Sequence, residues 1–174
     1  MKIAITGHRP NKLGNDYSLS GKLISKIKEK LQEVIDLYKP DTLISGMALG
    51  IDTLWAKLAH ENNINLIAAI PCKNQEKMWV SSSKIQYWEI LENPLTTIVN
   101  ISDEEYSISC MQKRNEWMVD NCDLLVAVWD GTNGGTGNCV SYAKAQHKEM
   151  IIINPTQLMQ ASVILEALKK QINS

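Results

Sequence analysis

Leu124-Leu125-Val126-Ala127-Val128-Trp129-Asp130-Gly131-Thr132-Asn133-Gly134-Gly135-Thr136-Gly137-Asn138 runs from five consecutive apolar residues into a segment with four glycines in seven positions. An apolar run without polar alternation suits a strand covered on both faces, the situation inside a parallel sheet. Similar runs recur along the chain: Lys2-Ile3-Ala4-Ile5-Thr6, Thr42-Leu43-Ile44-Ser45, Asn65-Leu66-Ile67-Ala68-Ala69-Ile70, Thr97-Ile98-Val99-Asn100 and Met150-Ile151-Ile152-Ile153. Between the first two, Leu23, Ile24, Ile27, Leu31, Val34, Ile35 and Tyr38 repeat at helical spacing and Pro40 punctuates the end. A second helix opens at Gly50, with Ile51, Leu54, Trp55, Leu58 and Ala59 as its apolar stripe. Further helices are expected near 109–121, 137–147 and 158–172. This alternation predicts right-handed βαβ units in an α/β, Rossmann-like, doubly wound and mainly parallel sheet with helices on both faces.

The connection from Pro71 to Pro94 is longer than the others. Structureless loops of that length are uncommon, so a crossover helix is expected there, with a lid as the alternative. At 174 residues one domain spanning 1–174 is the expectation, and no repeat or low-complexity segment divides it.

Composition narrows the function. Hydrophobic residues at 44% and charged residues at 21% are ordinary for a globular chain and argue against disorder. The apolar runs are strand-sized, so no membrane span is expected, and Met1 leads directly into a strand without a signal-peptide pattern, so a cytoplasmic protein is expected. A net charge of −1 supplies no general field for a polyanion, which makes nucleic-acid binding depend on a local basic patch. Cys72, Cys110, Cys122 and Cys139 lack CxxC or other metal-ligand spacing; reduced, mostly buried thiols and no metal are expected.

Ligands of open α/β sheets bind outside the carboxyl ends of the strands, where loops meet helix N-termini. Three loops qualify. Thr6-Gly7-His8-Arg9-Pro10 places a flexible glycine beside two potential phosphate donors, or is a plain turn. Ser45-Gly46-Met47-Ala48-Leu49-Gly50-Ile51-Asp52 can aim backbone N–H groups and the Ser45 hydroxyl at an anion, or Gly46 and Gly50 only allow close strand–helix packing. The turn with Asp130, Gly131, Gly134, Gly135, Thr136, Gly137 and Asn138 carries more glycine than a turn needs, and its position ahead of a helix suits a phosphate. None of the three has GxGxxG or Walker spacing. Before the fifth strand, Met111, Arg114 and Met118 share a helix face next to Asn115. A guanidinium on an apolar face needs a partner: a phosphate or carboxylate ligand, a structural pair with Asp123 or Asp130, or solvent reached by snorkelling.

With these residues in view the chain resembles the SLOG superfamily, which groups the DNA-processing protein DprA with the Lonely-Guy nucleotide hydrolases. Ser45 to Asp52 is similar to the DprA-type SGxAxGID loop, and Thr6 to Pro10 to the family's first glycine turn. Met111-Gln112-Lys113-Arg114-Asn115 is similar to the Lonely-Guy MHxRK segment, and Gly134-Gly135-Thr136-Gly137 to its PGGxGT segment. The overall form resembles the small stand-alone members of Gram-positive bacteria and their prophages. The resemblance implies a Rossmann-like fold, a nucleotide-type ligand and a homodimer or higher homo-oligomer. It also exposes a departure: where the Lonely-Guy pattern continues into a Glu pair used in glycosidic cleavage, this chain has Val140 and Ser141.

Three functions follow as expectations. A binding protein would hold a nucleotide or ADP-ribose-derived molecule in the glycine-lined cleft, as a sensor or as a sequestering protein, for instance one that blunts a host immune signal on behalf of a phage. A nucleoside 5′-monophosphate N-glycosidase would have to recruit Asp130, Asp52 or Glu116 in place of the lost Glu, with Asp130 as the catalytic candidate. A DprA-like single-strand binder would need a basic, aromatic-lined groove, against which the net charge argues. No cofactor beyond the nucleotide-like ligand is implied.

Overall fold

The computed structural model describes residues 1–172, with side chains as far as residue 165, so the last two positions of the expected 1–174 unit lie outside the described residues. In chain order the elements are β1 (Lys2–Gly7), α1 (Lys22–Tyr38), β2 (Thr42–Ser45), α2 (Ile51–Glu61), β3 (Asn65–Ile70), α3 (Ser81–Leu91), β4 (Thr96–Asn100), α4 (Ile108–Asp120), β5 (Leu124–Val128), α5 (Gly135–Ala145), β6 (Met150–Ile153) and α6 (Pro155–Ile172). All five strand pairings are parallel and the sheet order is β4-β3-β2-β1-β5-β6. The fold is a Rossmann-like α/β fold.

The order agrees with how the apolar runs are buried. Every residue of β5 is buried, as are Ile3, Ala4 and Ile5 of β1, in keeping with two strands that each have a neighbour on both sides. Successive side chains alternate between faces. Ile3, Ile5, Leu124, Val126 and Val128 enter a core with α1, α2 and α3. Ala4 and Leu125 face the opposite way, into a smaller core with Met118 and Val119 of α4 and Cys139 and Ala143 of α5. The long connection after Pro71 contains the crossover helix α3, whose Tyr87, Ile90 and Leu91 pack on the larger core.

Two helix starts lie earlier in the chain than the sequence pattern places them. α6 begins at Pro155, where a fixed φ and a missing N–H suit the first helical position. α5 begins at Gly135 rather than near 137, so Gly135 and Gly137 belong to the first helical turn. Glycine's poor helix propensity makes such a start read as loop.

The chain winds outward from β1 through β2 and β3 to β4, then returns to the other side of β1 with β5 and continues to β6. Connections therefore diverge between β1 and β5, the point at which open α/β sheets leave a crevice at their carboxyl edge. Here the register pairs Gly7 with Val128, so the two strands end together. The start of α2 presses on the end of β1: a Cβ built on Gly7 would lie 2.5 Å from Ile51 Cβ. Gly7→Ala is accordingly expected to cost about 1–3 kcal/mol as an overpacked site. For a chain of this size that is a Tm fall of about 3–10 °C. Gly135→Ala, with no atom within 4 Å of the added carbon, should leave Tm nearly unchanged in the same scanning calorimetry. Equal melting of Gly7→Ala and wild type would contradict the packing role.

Candidate functional site

Between the ends of β1 and β5 lies a cleft of about 320 Å³. One wall is the segment after β1: Gly7, His8, Arg9, Asn11 and Lys12. The opposite wall is Thr132 to Gly137 at the start of α5, and Asp52, Arg114 and Asn115 form the inner end. Three loops far apart in sequence thus converge where the topology leaves space.

Arg114 holds the inner end together. It is 5% exposed, and its Nη1 donates to the Gly46 carbonyl while its Nε donates to Asn115 Oδ1 at 3.0 Å. Asp52 Oδ2 lies 3.7 Å from Nη1 and accepts the Ala48 N–H at 3.3 Å. Burial pushes the Asp52 carboxyl up from its usual range, and the guanidinium and the Ala48 N–H pull it back. Among the described residues the Arg114 Nη2 has only the Met111 sulfur, at 3.9 Å, as an acceptor. A guanidinium nitrogen with such a weak partner on a cleft wall has donor capacity left for a ligand. Asn115 Nδ2 then donates to the Gly135 carbonyl at 3.3 Å and ties α4 to the glycine turn. The carboxylate partner of Arg114 is therefore Asp52. Asp123 instead accepts the Lys2 N–H at the other end of the strands, and Asp130 is taken up by His8.

The glycine turn is shaped for an anion. Gly134 precedes α5 with φ +142°, a conformation reserved for glycine, and no side chain caps the helix. The first bond of α5 runs from the Asn138 N–H to the Gly134 carbonyl at 2.8 Å. Among the described residues no hydrogen bond uses the N–H groups of Gly135, Thr136 and Gly137. Such donors at the positive end of a helix dipole attract negative charge. Lys12 closes the mouth, its Nζ donating to Thr132 Oγ1 at 2.7 Å, and Arg9 is exposed beside it. The lining carries Arg9, Lys12 and Arg114 against one carboxylate, Asp52, which favours an anionic occupant.

His8 and Asp130 brace the two strand ends. The His8 N–H donates to the Val128 carbonyl at 3.2 Å, and its buried ring places Nε2 at 2.8 Å from Asp130 Oδ1. The same oxygen accepts the Thr132 hydroxyl at 2.6 Å and the Thr132 N–H at 3.0 Å. The Thr132 hydroxyl, its N–H and His8 together hold the Asp130 carboxyl far below the usual carboxylate range. A carboxylate so committed is a poor proton donor or acceptor near neutral pH.

Of the residues singled out in the sequence, Gly7, His8, Arg9, Asp52, Arg114, Asn115, Gly134, Gly135, Thr136 and Gly137 line the cleft. Ser45, Gly46, Gly50, Asp130, Gly131 and Asn138 do not. Ser45 Oγ donates to the Asp52 carbonyl and accepts the Met47 N–H, which fastens the loop rather than facing the cleft. A Cβ on Gly46 would strike the Arg114 guanidinium, and one on Gly50 would come within 2.7 Å of the His8 carbonyl. Val140 is buried and Ser141 exposed, and neither reaches the cleft. Asn11 and Lys12 were not singled out. Their position directly after the first glycine turn was the available signal.

The YspA SLOG family matches residues 3–172. The SPbeta prophage-derived protein YoqJ of Bacillus subtilis is 36% identical over 140 residues, covering 71% of this chain and 81% of that protein. A UPF0398 protein of Bacillus cereus strain G9842 is 25% identical over 143 residues, 77% of each chain. Among solved structures, DprA of Streptococcus pneumoniae superposes with a TM-score of 0.65 at 16% identity, covering 92% of this chain and 56% of that one. The Helicobacter pylori DprA, described with its single-stranded DNA binding mode, gives 0.62 at 17% identity, covering 88% and 65%. This chain therefore spans less than two thirds of either DprA chain, and at these identities the likeness concerns the fold. Among the described residues no helix is long and apolar enough to cross a membrane, and no group of three or more His, Cys, Asp and Glu is placed to hold a metal ion.

Asp130→Ala removes the shared acceptor of His8 and Thr132 and should cost about 1–3 kcal/mol in urea denaturation at neutral pH. A depressed folded-state pKa stabilises above the unfolded value, about 3.9, and this contribution disappears as pH falls through the folded one. The gap between wild type and variant should thus hold from about pH 7 to 5 and narrow below about pH 4. A gap independent of pH would contradict the bracing role of the carboxylate.

Proposed function

Because the chain belongs to the YspA SLOG family, we propose that its cleft binds a phosphate-bearing, nucleotide-like small molecule, a nucleotide or an ADP-ribose derivative, and retains it without efficient hydrolysis. The observation that carries this reading is the uncapped start of α5, three N–H donors without a partner among the described residues, on the same cleft as Arg114 at the topological switch point. A phosphate would sit on the N–H groups of Gly135, Thr136 and Gly137, with the free capacity of Arg114 Nη2 on the inner side and Arg9 and Lys12 at the mouth. The absence of side chains at Gly134 and Gly135 lets the phosphate approach the backbone.

The state of the acids favours retention without turnover. Hydrolysis of a glycosidic bond needs a carboxyl group free to move a proton or steady an oxocarbenium ion. Asp130 is consumed by His8 and Thr132, and Val140 and Ser141 stand where the Lonely-Guy pattern has its Glu pair. Tight binding without transition-state preference does not accelerate a reaction. Such a protein is a sensor or a sequestering agent, and the prophage setting of the YoqJ relative fits the second use. One observation favours a hydrolase as the alternative: Asp52 lines the cleft, and burial holds its carboxyl above the usual range, as a general acid requires.

Native mass spectrometry of protein purified from cells should reveal a co-purified phosphate-bearing ligand. Incubation with AMP, NAD and ADP-ribose followed by chromatography should return each intact; rapid release of free base that disappears in Asp52→Asn would overturn the binding-only reading. Gly135→Val should remain soluble and folded yet show no binding heat with any ligand that wild type binds. Unchanged affinity in that variant would contradict the phosphate position.

A further inference from the structure

Outside the cleft, on the far side of Arg9, a groove of about 510 Å³ opens between the segment after β1, the segment after β3 and the segment before α4. Both it and the cleft have the dimensions of small-molecule sites. Its walls carry three aromatic side chains, Tyr17, Trp79 and Tyr106. Trp79 is fixed from behind: it packs on the larger core and meets the Tyr87 ring edge-on at 5.4 Å. Tyr17 and Tyr106 are more than half exposed, at 54% and 57%.

Groove and cleft adjoin. A small cavity of about 60 Å³ between them shares Arg9 with both, Met111 with the cleft, and Gln75, Trp79 and Tyr106 with the groove. At this junction lies an orphaned polar atom. Gln75 is 7% exposed and its Nε2 donates to the Gly46 carbonyl at 3.1 Å, but among the described residues its Oε1 has no hydrogen-bond partner. A buried acceptor without a donor is costly, and a ligand offering an N–H or O–H would relieve it.

On the reading that a phosphate occupies the glycine turn, we propose that this aromatic groove is the nucleobase subsite of the same ligand. The phosphate end rests on α5, the chain of the ligand passes Arg9, and the base stacks among Tyr17, Trp79 and Tyr106. Gln75 Oε1 accepts a donor from the base or sugar as it enters. Stacking is tolerant of base identity, so the groove selects a nucleotide over a bare phosphate before it selects among bases. A guanidinium at the bend suits both phosphate and ring face.

Calorimetric titration of wild type and of the Tyr17→Ala/Tyr106→Ala double variant with AMP, ADP-ribose and inorganic pyrophosphate tests this. Base–aromatic stacking is worth about 1–3 kcal/mol. The double variant should therefore bind AMP and ADP-ribose about tenfold or more weakly, while its pyrophosphate affinity stays that of wild type. The Tyr17→Phe/Tyr106→Phe variant should restore nucleotide affinity, since it keeps the rings. Equal nucleotide affinity in wild type and the alanine variant overturns the subsite and leaves the glycine turn standing. Wild type that binds neither pyrophosphate nor nucleotide overturns both readings. Tyrosine-dependent binding of a thymidine oligonucleotide with no binding of AMP or ADP-ribose overturns the proposal in favour of a strand path.

Discussion

A guanidinium removed from water has to be surrounded by acceptors, and in this molecule that requirement organises the carboxyl edge of the sheet. Arg114 reaches from α4 to the Gly46 carbonyl and toward Asp52, binding the loop between β2 and α2 to a helix on the opposite face of the sheet. Through Asn115 the same contact continues to Gly135. Removing one partner of such an arrangement leaves the other charge buried and alone, which typically costs about 3–5 kcal/mol. The same residue therefore shapes the cleft and keeps donor capacity inside it.

Six of the nine glycines fall into two physical groups. At Gly7, Gly46 and Gly50 an added carbon would meet Ile51, Arg114 or the His8 carbonyl, so these positions exist for the molecule's own close packing. At Gly131, Gly134 and Gly135 an added carbon meets nothing within 4 Å. Gly131 and Gly134 have positive φ and serve the turn, whereas Gly135 has neither crowding nor a left-handed backbone to explain it. Space left free beside unpaired N–H groups at a helix start is what approach by a ligand needs. The polar braces around it, Asp130 with His8 and Thr132 and Lys12 with Thr132, hold the opposite wall in place, an order that the proposed ligand would not have to impose.

Much of the fold was legible in the sequence because parallel strands buried on both faces leave unbroken apolar runs. β2, β3, β5 and β6 keep the bounds of their runs, whereas β1 extends one residue further, to Gly7, and β4 starts one residue earlier, at Thr96. The start of α5 was not legible, since Gly135 and Gly137 weaken local helix propensity while the end of β5 dictates where the helix begins. The site was half legible. Glycine turns and an arginine on an apolar face announce themselves, yet the partner of Arg114 lies 62 positions away at Asp52, a pairing that only the return of β5 beside β1 creates. The aromatic groove is further from sequence view, because Tyr17, Trp79 and Tyr106 belong to three separate connections and share no spacing.

The central claim is that the first-turn N–H groups of α5 receive the phosphate of the ligand. A two-dimensional ¹⁵N–¹H NMR titration with ADP-ribose reads those groups individually. The account predicts saturable shifts concentrated at the amides of Gly135, Thr136 and Gly137 and at the Arg114 Nε–H, fitting one dissociation constant. Saturable binding that leaves these four resonances in place while shifting others would contradict it.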